Sequence, residues 1–139
     1  MPLTGTVFIS VNDFDKSNAL KLARDLARLG FKLVATQGTA EFCSRAGLEV
    51  GTIKKVSEGS PNVVDLISGG EIDLVINTPL GSEAYSDGSQ LRMAAVRFGV
   101  PNTTTLSAAQ AAVNGIQALR ARVLDVCSLQ EYYRKNASS

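Results

Sequence analysis

The chain contains no histidine. Histidine is the usual proton carrier near neutral pH and a common metal ligand. Without it, and without clustered thiols, zinc chemistry and most acid–base hydrolysis at neutral pH are disfavoured. Cysteine is scarce: Cys43 and Cys127 fall in no paired or metal-like spacing. That suits a reduced, cytoplasmic protein with buried thiols. Neither charge sign dominates, since 14 basic and 13 acidic residues leave a net charge of +1. Nucleic-acid and membrane-surface modules usually carry a basic excess, so neither partner is expected. No charged segment leads into a long apolar stretch at the N-terminus, and no apolar run approaches the roughly 18 residues of a membrane span. Neither a signal peptide nor a membrane anchor is therefore expected.

What is present is a pattern of alternating elements. The 139 residues are most simply one domain, large enough to bury about two-thirds or more of the unfolded surface. The whole of 1–139 reads as that domain, with a core over about 5–120 and a C-terminal extension over 121–139. "TVFISV" (Thr6 to Val11) is β-branched and aromatic, as in a buried strand. Asp13 or Asp15 can then cap a helix whose apolar stripe is Ala19, Leu22, Ala23, Leu26 and Leu29, stopped by Gly30. "FKLVAT" is a second strand, followed by a helix from about Thr39 to Ala46. "EVGTIKKV" is a weaker third strand. Pro61 suits the first turn of a short helix ended by Gly69-Gly70. "DLVIN" (Asp73 to Asn77) is the best central strand. Leu91, Ala94, Ala95 and Phe98 mark one face of the next helix, before which Ser86-Asp87-Gly88 reads as a cap. "NTTTL" is a short strand, and Ser107 opens a helix rich in small residues through Leu119. A short terminal helix over Ser128 to Lys135 closes the chain. Such alternation, without linker or repeat, predicts an α/β domain with a mostly parallel sheet covered on both faces. Ligands then bind beyond the carboxyl ends of the strands.

Three polar segments leave those ends: "SVNDFDK" (Ser10 to Lys16), "TQGTA" (Thr36 to Ala40) and "NTPLG" (Asn77 to Gly81). Gly38 lets backbone approach a ligand, and free amides at a helix start favour an anion. Thr36 and Thr39 add hydroxyl donors, Lys16 and Lys55 can neutralise a phosphate, and Asn77 and Thr78 suit a ribose, base or phosphate edge. Each piece also has an ordinary reading. T-x-G-T is a capped helix start, single lysines are solvated, and Asn, Pro and Gly form turns. The residues alone leave an anionic-ligand site and plain turns both open. Elsewhere, Glu83 with Asp87 is more simply capping chemistry than a carboxylate pair, and Glu58-Gly59 reads the same way. Arg92 and Arg97 suit the wet face of their helix. Cys43 suits a buried small hydrophobe, and "EYYRK" suits tail docking or a partner contact.

At these loops the chain resembles a known family. "FISVNDFDK", "GFKLVATQGTAEFCSRAGLEV", "KVSEGSPNVVDLISGGEIDLVINTP", "DGSQLRMAAVRFGVP" and "TTTLSAAQAAV" look like the C-terminal regulatory domain of the carbamoyl-phosphate synthase large subunit. That domain belongs to the methylglyoxal-synthase-like superfamily. The likeness runs from about Gly5 to Leu119 and keeps the register between blocks; the "VCSLQEYY" tail is similar too. The resemblance implies a three-layer α/β/α domain whose five-stranded parallel sheet has the order 3-2-1-4-5.

It also implies a domain that does no chemistry, with UMP as inhibitor, IMP as activator and an ornithine site adjoining. Carried over, the nucleotide site falls on Lys16, Thr36, Thr39, Lys55, Asn77 and Thr78, with Ser10 at its edge; the ornithine-contacting threonine falls on Thr104. Implied partners are the synthetase domains of the same large subunit, the glutaminase small subunit and other copies of the chain. No cofactor is implied for this domain, whereas the parent enzyme uses ATP with Mg or Mn, and K. Two departures bear on the site: Gln37 stands where some relatives have histidine, and Pro79 where some have threonine. The sister lyase, methylglyoxal synthase, needs an aspartate base and a histidine. Here Asn62 and Ala84 lie near those places, and an amide cannot abstract a proton. The related purine cyclohydrolase shares the first loop and the T-x-G-T turn, but its lysine- and histidine-bearing segment has no counterpart here.

Overall fold

Alternation along the strands decides the layers. In β1 (Thr6–Val11), Val7, Ile9 and Val11 face one core while Phe8 faces another. In β2 (Lys32–Ala35), Leu33 and Ala35 join the first core and Val34 the second; in β4 (Leu74–Thr78), Leu74 and Ile76 join the first and Val75 the second. A strand buried on both faces needs helices on both sides, as parallel sheets do. α1 (Lys16–Arg28) and α5 (Leu106–Ala137) contribute Ala19, Leu22, Leu26, Ala109, Val113 and Ile116 to the first core. α3 (Val63–Ser68) and α4 (Gly81–Arg97) contribute Val63, Ile67, Leu91 and Ala94 to the second. α2 (Gln37–Arg45) lies beside α1 and adds Ala40 to the first core. These elements belong to a computed structural model that describes residues 4–55, 59, 61–78 and 81–137, with backbone alone over 81–88 and 125–137.

The five strands are parallel, in the order β3-β2-β1-β4-β5, as expected. β3 (Gly51–Thr52) and β5 (Asn102–Thr103) are short edge strands. Ser10 pairs with Asn77 and Val11 with Thr78, so the central strands end level. At the opposite end, Asp73 Oδ2 accepts the Thr6 amide at 2.8 Å. Glycine is favoured at Gly5 there, because φ +129° is a backbone region that side chains rarely adopt, and a Cβ would also displace the Asp73 carboxylate that holds the Thr6 amide.

Several element boundaries differ from the sequence expectations. Asp15 stands at the N-cap position of α1, as expected, but its side chain makes no capping bond; the side-chain cap belongs to Asn12, whose Oδ1 accepts the Asp15 amide at 3.0 Å at the head of a 3-10 turn over Asp13–Asp15. α2 begins after Thr36, earlier than Thr39, because Thr36 already has the extended backbone of an N-cap. Pro61 precedes α3 without entering it. Asn62 is the N-cap, and its capping box with Asp65 fixes the first helical residue at Val63, two residues after Pro61. Ser107 is inside α5, since Thr105 Oγ1 caps it by accepting the Ala108 amide at 3.1 Å. α4 starts at Gly81, so Ser86-Asp87-Gly88, expected as the cap before the helix, lies inside it. Phe98 lies past α4 and is exposed, with the Arg97 guanidinium 5.5 Å from its ring centre. The separate terminal helix does not exist. α5 is continuous over 32 residues because no proline or glycine interrupts Leu119 to Ala137. Pro79 and Glu58 lie outside the described residues, as do the side chains of Glu83, Ala84, Asp87, Cys127, Tyr132 and Tyr133.

Candidate functional site

The sheet order reverses between β1 and β4, and the crevice beyond a reversal is where open α/β sheets bind ligands. Two threonines tie that crevice together. Thr78 Oγ1 accepts the Asn12 amide at 3.1 Å and Asn12 Nδ2 at 3.3 Å, fastening the loop after β1 to the end of β4. Thr39 Oγ1 accepts the Val11 amide at 3.4 Å, fastening α2 to the end of β1. Asn12 Nδ2 also donates to Asp15 Oδ2 at 2.8 Å. Asn12 thus organises the loop, a role the sequence reading did not assign. The available signal was an asparagine directly after a strand, where its side chain can bond the backbone of the next turn.

Other polar groups here are not used in this way. Thr36 is 4% exposed and its hydroxyl makes no capping bond to α2. Asn77 is 9% exposed, and neither it nor Thr36 makes a side-chain hydrogen bond among the described residues. Ser10, half-buried, pairs with Asn77 in the sheet, so both side chains fall on the α3/α4 side. Among the described residues the one fully enclosed side-chain polar atom without a partner is Asn102 Oδ1, on β5, so the unbonded polar atoms of Thr36 and Asn77 reach the surface at the sheet's carboxyl edge, open to a polar ligand.

Cationic groups border the same place. Lys16 is 18% exposed and its ammonium lies over α2's first turn, 3.5 Å from where a Cβ on Gly38 would sit. Gly38, itself exposed, leaves that first turn accessible. Lys16 also forms an ion pair with Asp13 across one helical turn. The Lys16 ammonium holds the Asp13 carboxyl below its ordinary value, and the charge of Lys55 adds to the effect. Lys55 follows the short β3 on this edge and is therefore near the same carboxylate. Ser10, Lys16, Thr36, Gly38, Thr39, Lys55, Asn77 and Thr78 are thus brought to one edge. Thr104 is not part of this cluster. It is exposed beyond β5, two strands from β1 and three from β2, about 14 Å from the latter at the usual strand spacing.

No group of three or more metal-binding side chains occurs among the described residues, and no described helix is long and apolar enough to cross a membrane. Cys43 is 2% exposed, and burial pushes its thiol above the ordinary value, opposite to what a nucleophile needs. Asn62 is fully occupied as a cap: Oδ1 accepts the Val64 amide at 2.9 Å and Nδ2 donates to the Gly59 carbonyl at 2.9 Å.

The sequence pattern of the MGS-like domain family matches residues 18–104. The chain belongs to that family. This MGS-like domain is 50% identical over 96% of its length to "Carbamoyl phosphate synthase large chain, C-terminal section" of Methanopyrus kandleri, and covers 25% of that protein. It is 46% identical over 98% of its length to the carbamoyl phosphate synthase large chain of Archaeoglobus fulgidus, covering 13% of it. The domain therefore spans a quarter or less of these curated relatives. Among solved structures, a methylglyoxal synthase from Elizabethkingia anophelis superposes with a TM-score of 0.64 at 20% identity, covering 81% of this chain and 79% of that one. That likeness confirms the three-layer fold with its 3-2-1-4-5 sheet.

Proposed function

We propose that this domain is the nucleotide-effector site of a carbamoyl phosphate synthase large chain and performs no chemistry itself. The observation that carries the reading is the approach of the Lys16 ammonium to the first turn of α2, on a sheet edge where the Thr36 and Asn77 side chains make no hydrogen bond among the described residues. A phosphate fits the first turn of α2, where accessible amides, the Thr36 hydroxyl and Lys16 converge, with Lys55 adding charge. The nucleoside then extends toward Ser10, Asn77 and the remaining O–H of Thr78. UMP and IMP are the proposed ligands, inhibiting or activating through the synthetase domains of the parent enzyme. Regulation is then a coupling free energy: each nucleotide favours a different arrangement of the domain against those neighbours. Thr104, set apart from the cluster, suits a separate ornithine contact.

The lyase alternative finds little support. The chain has no histidine, and Asn62, near the expected base position, is engaged at both ends in capping α3.

Calorimetry with UMP and IMP tests the reading. Binding should weaken about tenfold or more in Thr36→Ala, the scale of a hydrogen bond to a charged group. Lys55→Ala should weaken it as well. Absence of heat at millimolar nucleotide would leave the domain as an oligomer-contact module with a vestigial site.

A further inference from the structure

The cationic side of the crevice holds an anion that belongs to the chain. Asp13, 89% exposed at its side chain, approaches from solvent and pairs with Lys16, whose side chain is largely buried and only 18% exposed. The arrangement is held from both ends. Asn12 caps the turn Asp13–Asp15 and is bonded to Thr78, so the turn's position is set by the sheet. Lys16 is set by α1 and by its approach to Gly38. Its ammonium therefore lies between the Asp13 carboxylate and the first turn of α2.

We propose that Asp13 is a built-in competitor for the phosphate: its carboxylate occupies Lys16 and must be displaced before a phosphate group can engage the ammonium. This inference rests on the reading of the crevice as a phosphate site. It adds a residue that sets the site's affinity without belonging to the set that holds the ligand. An ion pair one turn apart with a solvent-exposed carboxylate is weak, so the closed form outweighs the open one by only a modest factor. Apparent affinity falls by the fraction of molecules in the open form. Removing the carboxylate should then tighten phosphate binding about two- to sixfold. Loss of direct repulsion between Asp13 and the incoming anion acts in the same direction.

The test uses the full chain at constant ionic strength, with inorganic phosphate and UMP titrated separately into wild type, Asp13→Asn and Asp25→Asn. Asp13 is exposed, so its replacement leaves the core intact. Asp25 lies on α1 about 14 Å further along the helix and controls for net charge alone. The inference expects tighter binding of both probes in Asp13→Asn and nearly unchanged binding in Asp25→Asn. Equal tightening in both variants, or unchanged or weaker binding in Asp13→Asn, overturns it while leaving the phosphate site standing. Binding seen only in Asp13→Asn supports both. Binding in none of the three proteins overturns the phosphate site and the inference together.

Discussion

Asn62 shows how much one side chain settles. Its Oδ1 accepts from Val64 and Asp65, and Asp65 returns a bond to the Asn62 amide at 2.8 Å, closing a capping box on a helix of only six residues. Asn62→Ala should destabilise the domain by about 1–2 kcal/mol in urea unfolding, and Asn62→Asp, which retains the acceptor, should lose much less. Asp13 allows a test without unfolding. A carboxylate whose folded-state value is lowered stabilises the fold above its ordinary value and loses that contribution as pH falls through the lowered one. Because Asp13 is exposed, the stability change is slight, and the useful measurement is the titration itself. Lys16→Gln should move the Asp13 carboxyl titration upward in an NMR pH series; an unmoved curve would separate the two side chains in solution. Asp13, Lys16 and Lys55 were all visible as charges in the sequence, but which cation faced which anion was not. That depends on the Asn12–Thr78 tie between residues 66 positions apart.

At the scale of elements, β1, β2, β4 and α1 were legible because their periodicity is strong. The apolar stripe Ala19, Leu22, Ala23, Leu26 is the buried face of α1, and Leu29 sits at its C-cap, partly buried. Boundaries were less legible because cap signals compete. Thr36 and Thr39 are equally good N-cap residues in isolation, and Thr39 is drawn inward by the Val11 amide. α5 illustrates the other kind of miss: local composition cannot say where a helix stops being supported. Ala109, Ala112, Val113 and Ile116 are buried, whereas residues 121–124 are all exposed. Ile116→Ala should therefore cost about 2–5 kcal/mol in chemical denaturation, and Leu124→Ala less than about 0.5 kcal/mol. A comparable cost at Leu124 would show that the outer part of α5 is packed in solution.

For the whole molecule, the sheet couples the crevice to stability. Ligand seated on the ends of β1, β2 and β4 bridges the strands on which both cores are built, so binding should stabilise the domain globally. UMP at about 100 times its dissociation constant should add about 2.7 kcal/mol, read as a rise in thermal midpoint that Thr36→Ala diminishes. A midpoint indifferent to nucleotide would contradict the proposed site. What the sequence determined by itself was local: strand and helix identities, the parallel class, the lack of a neutral-pH proton carrier, and the three polar loops on one edge. Hydrophobic periodicity and residue chemistry suffice for these, and the family resemblance extended them to strand order. Only the tertiary structure decided which polar groups are spoken for. Thr39, Thr78 and Asn62 turned out to hold the fold, the Thr36 and Asn77 side chains were left without a hydrogen bond among the described residues, and Asp13 met Lys16 near Gly38. Hydrogen-bond pairing depends on distances between segments far apart in the chain, and those exist only once the sheet has brought β1, β2 and β4 side by side.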